Sequence, residues 1–150
     1  MNKLTASSFL SSPLLLAAML VSFASTAIFY YELRRPPLAP TIPGYELAGK
    51  SNVLVVGYAS GCSCSLAMPT ILEEALRKKM AVLVLGDSER ADLVILRSTY
   101  EKRGVVVLLG MKRNIMQTFC PRGTMTYSIV QHGYILRQKQ AAASLRDVMH

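Results

Sequence analysis

The feature that most restricts the fold is an uncharged apolar stretch at the N-terminus. No charged residue occurs from Leu4 to Tyr31, and Pro13–Tyr31 consists mainly of Leu, Ala, Phe and Tyr. As a helix, this second stretch would span about 28 Å, close to the ~30 Å hydrocarbon core of a bilayer. The aromatic residues Phe29–Tyr31 and the following Arg34 and Arg35 suit a lipid headgroup region. The sequence therefore predicts a single-pass membrane anchor over residues 1–31.

A secretory signal peptide is the alternative interpretation of the same residues. Lys3 supplies a charged start, and Ser25-Thr26-Ala27 matches a small-x-small cleavage site. The apolar stretch is longer than the ~7–15 residues of a signal-peptide core, and it continues beyond this site. These two properties favour an uncleaved anchor. Basic residues lie at both ends of the stretch, so the charge pattern does not decide its orientation.

The remainder of the chain is basic, and the whole chain of 150 residues has a net charge of +8. The basic residues are scattered, and aromatic residues are not interleaved with them as they are in nucleic-acid-binding surfaces. We therefore expect no nucleic-acid partner. A solvated basic surface near anionic lipid accounts for the charge.

A proline-rich segment separates the anchor from the rest of the chain. Residues 32–44 contain Pro36, Pro37, Pro40 and Pro43, which exclude a helix or a central strand. Such a segment in the polyproline form rises ~3.1 Å per residue and is semi-rigid. The sequence thus predicts a tether over 32–44 and a folded domain over 45–150.

Apolar β-branched segments alternate with amphipathic segments throughout the domain, which predicts an α/β fold with a mainly parallel sheet and a terminal hairpin. The predicted strands are 52–58, 81–86, 105–110, 126–130 and 134–138, with a turn at Gln131-His132-Gly133. The predicted helices are 65–79, one capped by Asp87 or Ser88 that ends near Arg103 before Gly104, 112–119 and 141–149.

Two motifs of other enzyme classes occur in the wrong context. Gly44–Ser51 matches the letters of a phosphate-binding loop, but prolines precede it and a strand follows it. A phosphate loop has the opposite order, because it follows a strand and opens a helix. Gly57–Gly61 lacks the spacing of a hydrolase nucleophile elbow, and the chain has only two histidines. Nucleotide hydrolysis and serine hydrolase chemistry are therefore disfavoured.

Cys62 and Cys64 lie between the first predicted strand and the first predicted helix of the domain. A helix N-terminus carries unpaired N–H groups and about half a positive charge. This charge stabilises a thiolate and lowers its pKa, which is why redox dithiols occupy strand-to-helix turns. The pattern predicts a redox-active pair, with a soft-metal site or two inert buried thiols as alternatives.

Residues from about Thr41 to Met149 resemble the thioredoxin-like fold, and in particular the membrane-anchored TlpA/ResA-type redoxins. The resemblance lies in three segments taken in order: "IPGYELAGKSNVLVVGYASGCSCS", Met68-Pro69, and "RGTMTYSIVQHGYILRQ". It implies a mixed sheet flanked by helices and thiol–disulfide exchange with a protein partner. Because such exchange is maintained outside the cytoplasm, it also implies an extracytoplasmic, periplasmic-side domain.

The chain departs from that family at two positions. The family has C-x-x-C where this chain has C-x-C; aligned from Pro69, Cys64 is the resolving cysteine, whereas aligned from Tyr58, Cys62 is the nucleophile. We expect Cys62 to attack and Cys64 to resolve. Met125 replaces the family's cis-proline, and we expect a trans bond there because a non-proline cis bond costs about 2.5–4 kcal/mol. By the resemblance, Tyr58, Thr124 and Met125 would line the substrate groove.

Cys120 is the third cysteine and lies five residues before Met125. By the resemblance its loop approaches the active face, where Cys120 could resolve Cys62, serve as a third ligand, or be an inert thiol. No resident cofactor is expected for the redox function. In the alternative, Cys62, Cys64 and Cys120 would bind copper or zinc, since thiolates prefer soft metals.

Three functions thus remain as hypotheses. The first is a tethered thiol–disulfide oxidoreductase, and the second is a copper carrier or assembly factor. The third is a catalytically silent redoxin-like subunit that docks on a membrane complex, which the altered dithiol and the missing proline suggest.

Overall fold

A computed structural model describes residues 13–58 and 66–150, apart from the side chain of Leu14. The chain divides into two compact units, Met1–Arg35 and Pro36–His150. The predicted cysteine pair, Cys62 and Cys64, lies outside the described residues.

The described residues of the first unit form the helix α1 (Pro13–Arg34). Its segment Leu15–Arg34 is long and apolar enough to cross a membrane, a property that signal sequences share. The hydroxyls of Ser25 and Thr26 donate to carbonyls one turn earlier, each over 2.8 Å. These bonds satisfy both hydroxyls inside the helix, as an apolar surrounding requires.

The last turn of α1 gathers aromatic and basic side chains. Arg34 stacks over Tyr30 at 4.5 Å and Arg35 over Tyr31 at 5.0 Å, measured from the guanidinium carbon to the ring centroid. Such amphipathic pairs are typical of the interface between hydrocarbon and water. The helix extends three residues beyond the predicted end of the anchor at Tyr31.

The second unit is built on a five-stranded sheet in the order β3-β2-β1-β4-β5. Strands β1, β2 and β3 are parallel, whereas β4 is antiparallel to β1 and β5 is antiparallel to β4. The strands are β1 (Val53–Tyr58), β2 (Ala81–Gly86), β3 (Val105–Leu108), β4 (Thr126–Gln131) and β5 (Tyr134–Gln140). The helices are α2 (Met68–Arg77), α3 (Ala91–Tyr100), α4 (Arg113–Phe119) and α5 (Leu145–Met149).

Successive side chains of β1 point to opposite faces of the sheet, so the hydrophobic core has one part on each face. Leu54 and Val56 pack with residues of α2, α3 and α5 on one face. Val53 and Val55 pack with α4 and with Ile42 and Leu47 on the other. All six residues of β1 are buried, as expected of a central strand that is covered on both faces.

The proline-rich segment differs from the predicted tether, because part of it is attached to the domain. The Ile135 N–H donates to the Pro37 carbonyl over 2.8 Å, and the Ala39 N–H donates to the Gly133 carbonyl over 2.7 Å. These bonds pair Leu38 with Tyr134 in antiparallel fashion at the edge of β5. A proline-containing segment is tolerated there, since an edge strand needs hydrogen bonds on one side only.

Helix boundaries are where the structure and the sequence patterns differ most. Neither Asp87 nor Ser88 caps α3, which begins after Arg90 without a side-chain cap. Gly104 does end the following 3-10 turn, with φ 88°, as predicted. Helix α5 is shorter than predicted because a capping box of Ser144 and Asp147 starts it late. Pro69 lies in the first turn of α2, where its missing N–H breaks no helical bond.

The strand order, the strand directions and the helices on both faces define a thioredoxin-like fold. A β-α-β unit (β1-α2-β2) is joined to a β-β-α unit (β4-β5-α5) through the pairing of β1 with β4. The predicted fold class, a mixed sheet flanked by helices with one N-terminal apolar helix, is confirmed.

Candidate functional site

The candidate site lies at the carboxyl end of β1, where the described chain stops at Tyr58 and resumes at Leu66 before α2. Cys62 and Cys64 belong to this connection by sequence. Functional residues of open α/β sheets gather at the carboxyl ends of the parallel strands. The described residues around this end come from β1, α3, the loop after α4 and the start of β4.

Gly57 brings the loop after α4 against the end of β1. A Cβ atom at Gly57 would overlap the backbone carbonyl of Phe119 and would lie 3.0 Å from the Cys120 nitrogen. Only glycine permits this approach of two backbones. A glycine inside an otherwise apolar, β-branched strand is the sequence signal for such a close approach.

Cys120 therefore lies beside Gly57, the residue before Tyr58 in β1, on the face of the sheet that α4 covers. Its side chain is 5% exposed and packs with Phe119 and Val55. The thiol donates to the carbonyl of Thr124 over 3.0 Å. The Cys120 loop thus lies at the carboxyl end of β1, and the predicted roles of Cys120 as a resolving thiol, a metal ligand or an inert thiol stay predictions.

Met125 lies at the same end of the sheet, next to the pair formed by Gly57 and Thr126. The peptide bond before Met125 is trans, as expected, since no cis bond occurs among the described residues. The Met125 side chain is fully buried, and the hydroxyl of Tyr127 donates to its sulfur over 3.1 Å. Its role here is to fill the core.

The predicted substrate groove of Tyr58, Thr124 and Met125 is thus only partly compatible with the structure. Tyr58 and Met125 point into the core and are 3% and 0% exposed, so their side chains do not line an open groove. Thr124 is partly exposed, and its carbonyl accepts bonds from the Cys120 thiol and from the Thr126 hydroxyl. The buried orientation follows from strand alternation, which directs Tyr58 to the same face as Leu54 and Val56.

Tyr58 links the end of β1 to the start of α3. Its hydroxyl donates to the carboxylate of Asp92, which also forms an ion pair with Arg90 over 3.2 Å. The Tyr58 hydrogen bond is the main cause that lowers the pKa of Asp92, and Arg90 and the Leu93 N–H act in the same direction. Asp92 was not identified from the sequence, because no local pattern indicates that the end of β1 contacts the start of α3.

A surface cavity of about 290 Å³ adjoins Cys120. Its charged lining residues are Arg113, Arg122 and Asp87, so positive charge predominates there. Arg122 has φ 61°, an unusual conformation for a residue other than glycine. The two guanidinium groups are suited to an anionic group near the candidate site.

The described residues contain no group of three or more His, Cys, Asp or Glu side chains that could hold a metal. Cys120 and Met125 supply sulfur at this end of the sheet, but the Met125 sulfur already accepts a bond from Tyr127. A metal site would therefore need the cysteines outside the described residues. His132 is remote from this end, because it lies in the turn of the β4–β5 hairpin.

Comparisons with solved structures return proteins of related architecture. One is the solution structure of a thiol:disulfide interchange protein from Bacteroides sp., with 21% identity and a TM-score of 0.48, covering 70% of this chain and 80% of that chain. Another is the solution structure of a thioredoxin-like protein in the oxidized form, with 12% identity and a TM-score of 0.43, covering 71% of this chain and 84% of that chain. No protein-family description and no curated protein matches this chain.

Proposed function

We propose that this protein is a membrane-tethered thiol–disulfide exchange protein whose redox pair is Cys62 and Cys64. The observation that carries the proposal is the position of the connection that bears them. It leaves the carboxyl end of the central strand, at the point where Cys120, Thr124 and the Tyr58–Asp92 pair converge. A thiol in such a strand-to-helix connection gains the electrostatic stabilisation that makes it nucleophilic.

The proposed reaction begins with the thiolate of Cys62. It attacks one sulfur of a substrate disulfide, forms a mixed disulfide and expels the other substrate sulfur as a thiolate, which takes up a proton. The Cys64 thiolate then attacks the Cys62 sulfur and releases the second substrate sulfur. The substrate gains two electrons, and the protein gains a Cys62–Cys64 disulfide. A protein dithiol must reduce this disulfide for a further cycle, and the reverse sequence oxidises a substrate.

Cys120 takes no part in the exchange steps of this scheme. Its backbone is fixed against Gly57, one residue before the end of β1, and its thiol is hydrogen-bonded to Thr124. Burial and this bond limit its reaction with bulky protein substrates. We therefore expect Cys120 to be dispensable for exchange with a protein disulfide.

The tether in this proposal is α1, supported by its length, its apolar composition and the aromatic and basic residues of its last turn. The domain would face an extracytoplasmic, periplasmic-side compartment, since thiol–disulfide exchange with substrates is maintained there. Its partners would be the lipid bilayer and a protein thiol or disulfide.

The test is disulfide reduction by the full chain in detergent, with insulin as substrate and a dithiol as electron donor. Cys62→Ser should abolish the activity, and Cys64→Ser should trap a mixed disulfide visible as a mass shift. Ser63→Ala, between the two cysteines, is the matched control and should retain exchange, as should Cys120→Ser. Undiminished turnover by Cys62→Ser would overturn the proposal.

A soft-metal carrier is the second candidate, favoured by the placement of the Cys120 thiol at the same end of the sheet. In that case Cys62, Cys64 and Cys120 would be the ligands of Cu(I) or Zn(II), as thiolates suit both ions. Metal analysis after purification under reducing conditions separates the two functions. A stoichiometric metal that is lost in Cys120→Ser supports the carrier, whereas a dithiol that titrates freely without metal supports exchange.

A further inference from the structure

An exposed apolar surface lies at the opposite end of the domain, where β1 begins. Leu38 and Tyr134 pair directly across the edge of β5, and the backbone bonds on either side of them place their side chains next to each other on one face. Leu38 is 68% exposed and Tyr134 is 42% exposed. Two adjacent large side chains at these exposures form an apolar surface that nothing in the described domain covers.

Next along β5 is Leu136, which is 43% exposed and lies at a bulge in the pairing of β5 with β4, between the pairs Val130–Ile135 and Ile129–Arg137. Leu136 lines a groove of about 340 Å³ together with Met80, Ile129 and Met149. Lys78 and Arg137 line the same groove with the polar Asn52 and Gln131, and the backbone of Lys50 is bonded to the adjacent hairpin turn. Apolar residues within a basic border match the chemistry of an anionic bilayer surface.

Lys50 is fixed at this end of the domain. Its carbonyl accepts the N–H of His132 over 2.9 Å, and its ammonium lies 5.0 Å from the centre of the Tyr45 ring. Glu46 is the acidic residue of the same region, and its carboxylate is near Gly49. The lysine side chain thus stands beside aromatic and apolar groups, as residues at a lipid headgroup level commonly do.

The sequence separation from α1 indicates what covers this surface. Helix α1 ends at Arg34, and Pro37 is already hydrogen-bonded to the edge of β5. Only Arg35 and Pro36 lie between them, and each residue spans at most ~3.6 Å. If α1 crosses a bilayer, chain length alone keeps Leu38 within reach of the lipid headgroups, whatever the relative orientation of the two units.

We propose that the surface formed by Leu38, Tyr134 and Leu136, with Lys50 and Lys78 at its border, rests on the anionic surface of the bilayer that α1 spans. The proposal rests on the membrane anchorage in the proposed function. With this surface on the lipid, the amino end of β1 lies near the bilayer and the strand runs about 17 Å away from it to Tyr58. The carboxyl end of β1 at Tyr58 then faces the aqueous compartment rather than the membrane.

The absence of tryptophan from the chain makes the proposal testable by single-tryptophan fluorescence. The full chain is reconstituted in vesicles of phosphatidylcholine and phosphatidylglycerol, with either ordinary or acyl-brominated lipid. Tyr134→Trp and Leu38→Trp report on the proposed surface. Ile95→Trp, at a 65% exposed position on α3, is the matched control within the domain, and Phe23→Trp reports on α1.

Brominated lipid should quench Tyr134→Trp and Leu38→Trp strongly, and iodide in the aqueous phase should quench them less than Ile95→Trp. Replacing phosphatidylglycerol with phosphatidylcholine should weaken the lipid quenching at both positions. The proposal is overturned if both positions are as accessible to iodide as Ile95→Trp while Phe23→Trp is quenched by lipid, which leaves the anchor intact. Unquenched Phe23→Trp overturns the anchor and this proposal together, whereas the insulin assay judges the redox function separately.

Discussion

The two ends of the central strand β1 are built in opposite ways. At the carboxyl end, backbones touch at Gly57, Met125 is fully buried, and Tyr58 and Asp92 share a hydrogen bond. At the amino end, the side chains of His132, Leu38, Tyr134 and Leu136 are exposed. One strand thus joins a closely packed end to an open end.

This difference indicates where the fold tolerates change. Close-packed groups have no room to relax, so substitutions at the carboxyl end should cost stability that equivalent substitutions at the amino end do not. The redox chemistry that we propose would then work from a rigid base. The open end is available for contact with a surface.

The largest expected effect is that of Gly57→Ala. The added methyl group would overlap the Phe119 carbonyl, so the loop that carries Cys120 must move. We expect a loss of about 3 kcal/mol in the free energy of unfolding, at the upper end of typical overpacking costs. Urea unfolding followed by circular dichroism measures it.

Gly49→Ala is the matched control at the amino end, where the nearest atom to an added Cβ is 4.0 Å away. Its unfolding free energy should change by less than about 0.5 kcal/mol. Equal effects of the two substitutions would contradict the proposed contrast.

Two methionines, Met125 and Met149, differ in burial between the two ends of β1. Met125→Ala removes a fully buried side chain and should cost about 2–3 kcal/mol, in the lower part of the typical range for such truncations, because a cavity remains. Met149→Ala truncates a side chain that is 40% exposed on the groove of the amino end, and we expect a change within about 0.5 kcal/mol. If thermal or urea unfolding shows similar losses of stability in the two variants, the proposed contrast between the two ends of β1 is wrong.

Tyr58→Phe tests the polar link at the carboxyl end. Loss of a hydrogen bond to a charged group that is partly exposed should cost about 1–2 kcal/mol at neutral pH. The folded-state pKa of Asp92 is lowered, chiefly by this bond, so its contribution is present above the ordinary Asp pKa and is lost as the pH falls through the folded value. The difference from the wild type should therefore shrink below about pH 4.

The control for that pH dependence is Tyr134→Phe, which removes an exposed hydroxyl at the amino end. Its small effect on the unfolding free energy should not vary with pH. If the loss of unfolding free energy in Tyr58→Phe stays constant down to the acid range, that loss does not come from the hydrogen bond to the Asp92 carboxylate.

The smallest expected effect is at the hairpin turn. His132 and Gly133 have φ values of 49° and 82°, so both central residues are left-handed, as in a type I′ turn. His132→Asn should stabilise the protein by about 0.5 kcal/mol, since Asn adopts this conformation more readily. Gly133→Ala should instead destabilise the protein by about 1 kcal/mol. If the unfolding free energy changes in the same direction in both variants, the turn does not have this conformation.

Local sequence signals predicted the strands well. The segments 81–86 and 126–130 were apolar, β-branched and bounded by turn residues, and the observed strands match or nearly match them. Helix starts were predicted less well, because a cap depends on which side chain is free to bond the backbone. Asp92 bonds Tyr58 and Arg90, and α3 starts without Asp87 or Ser88.

The candidate site was predictable in composition but not in arrangement. The resemblance to the thioredoxin-like fold implied that the loop with Cys120 approaches the active face, and in the structure Cys120 and Met125 both precede the β4 strand that pairs with β1. It did not indicate that Tyr58 and Met125 are directed into the core, which excludes their side chains from an open groove. Their orientation is set by which face of the sheet receives α2, α3 and α5, and that is a property of the assembled layers.

The sequence alone determined that the chain has an apolar helix long enough for a bilayer and an α/β domain with a terminal hairpin. Both follow from periodicity and composition, which act over neighbouring residues. Only the tertiary structure decided that the proline-rich segment joins the edge of β5, that Gly57 supports Cys120, and that Asp92 binds Tyr58. These contacts connect residues far apart in the chain, and they form only when the sheet brings distant backbone groups within hydrogen-bonding and van der Waals range.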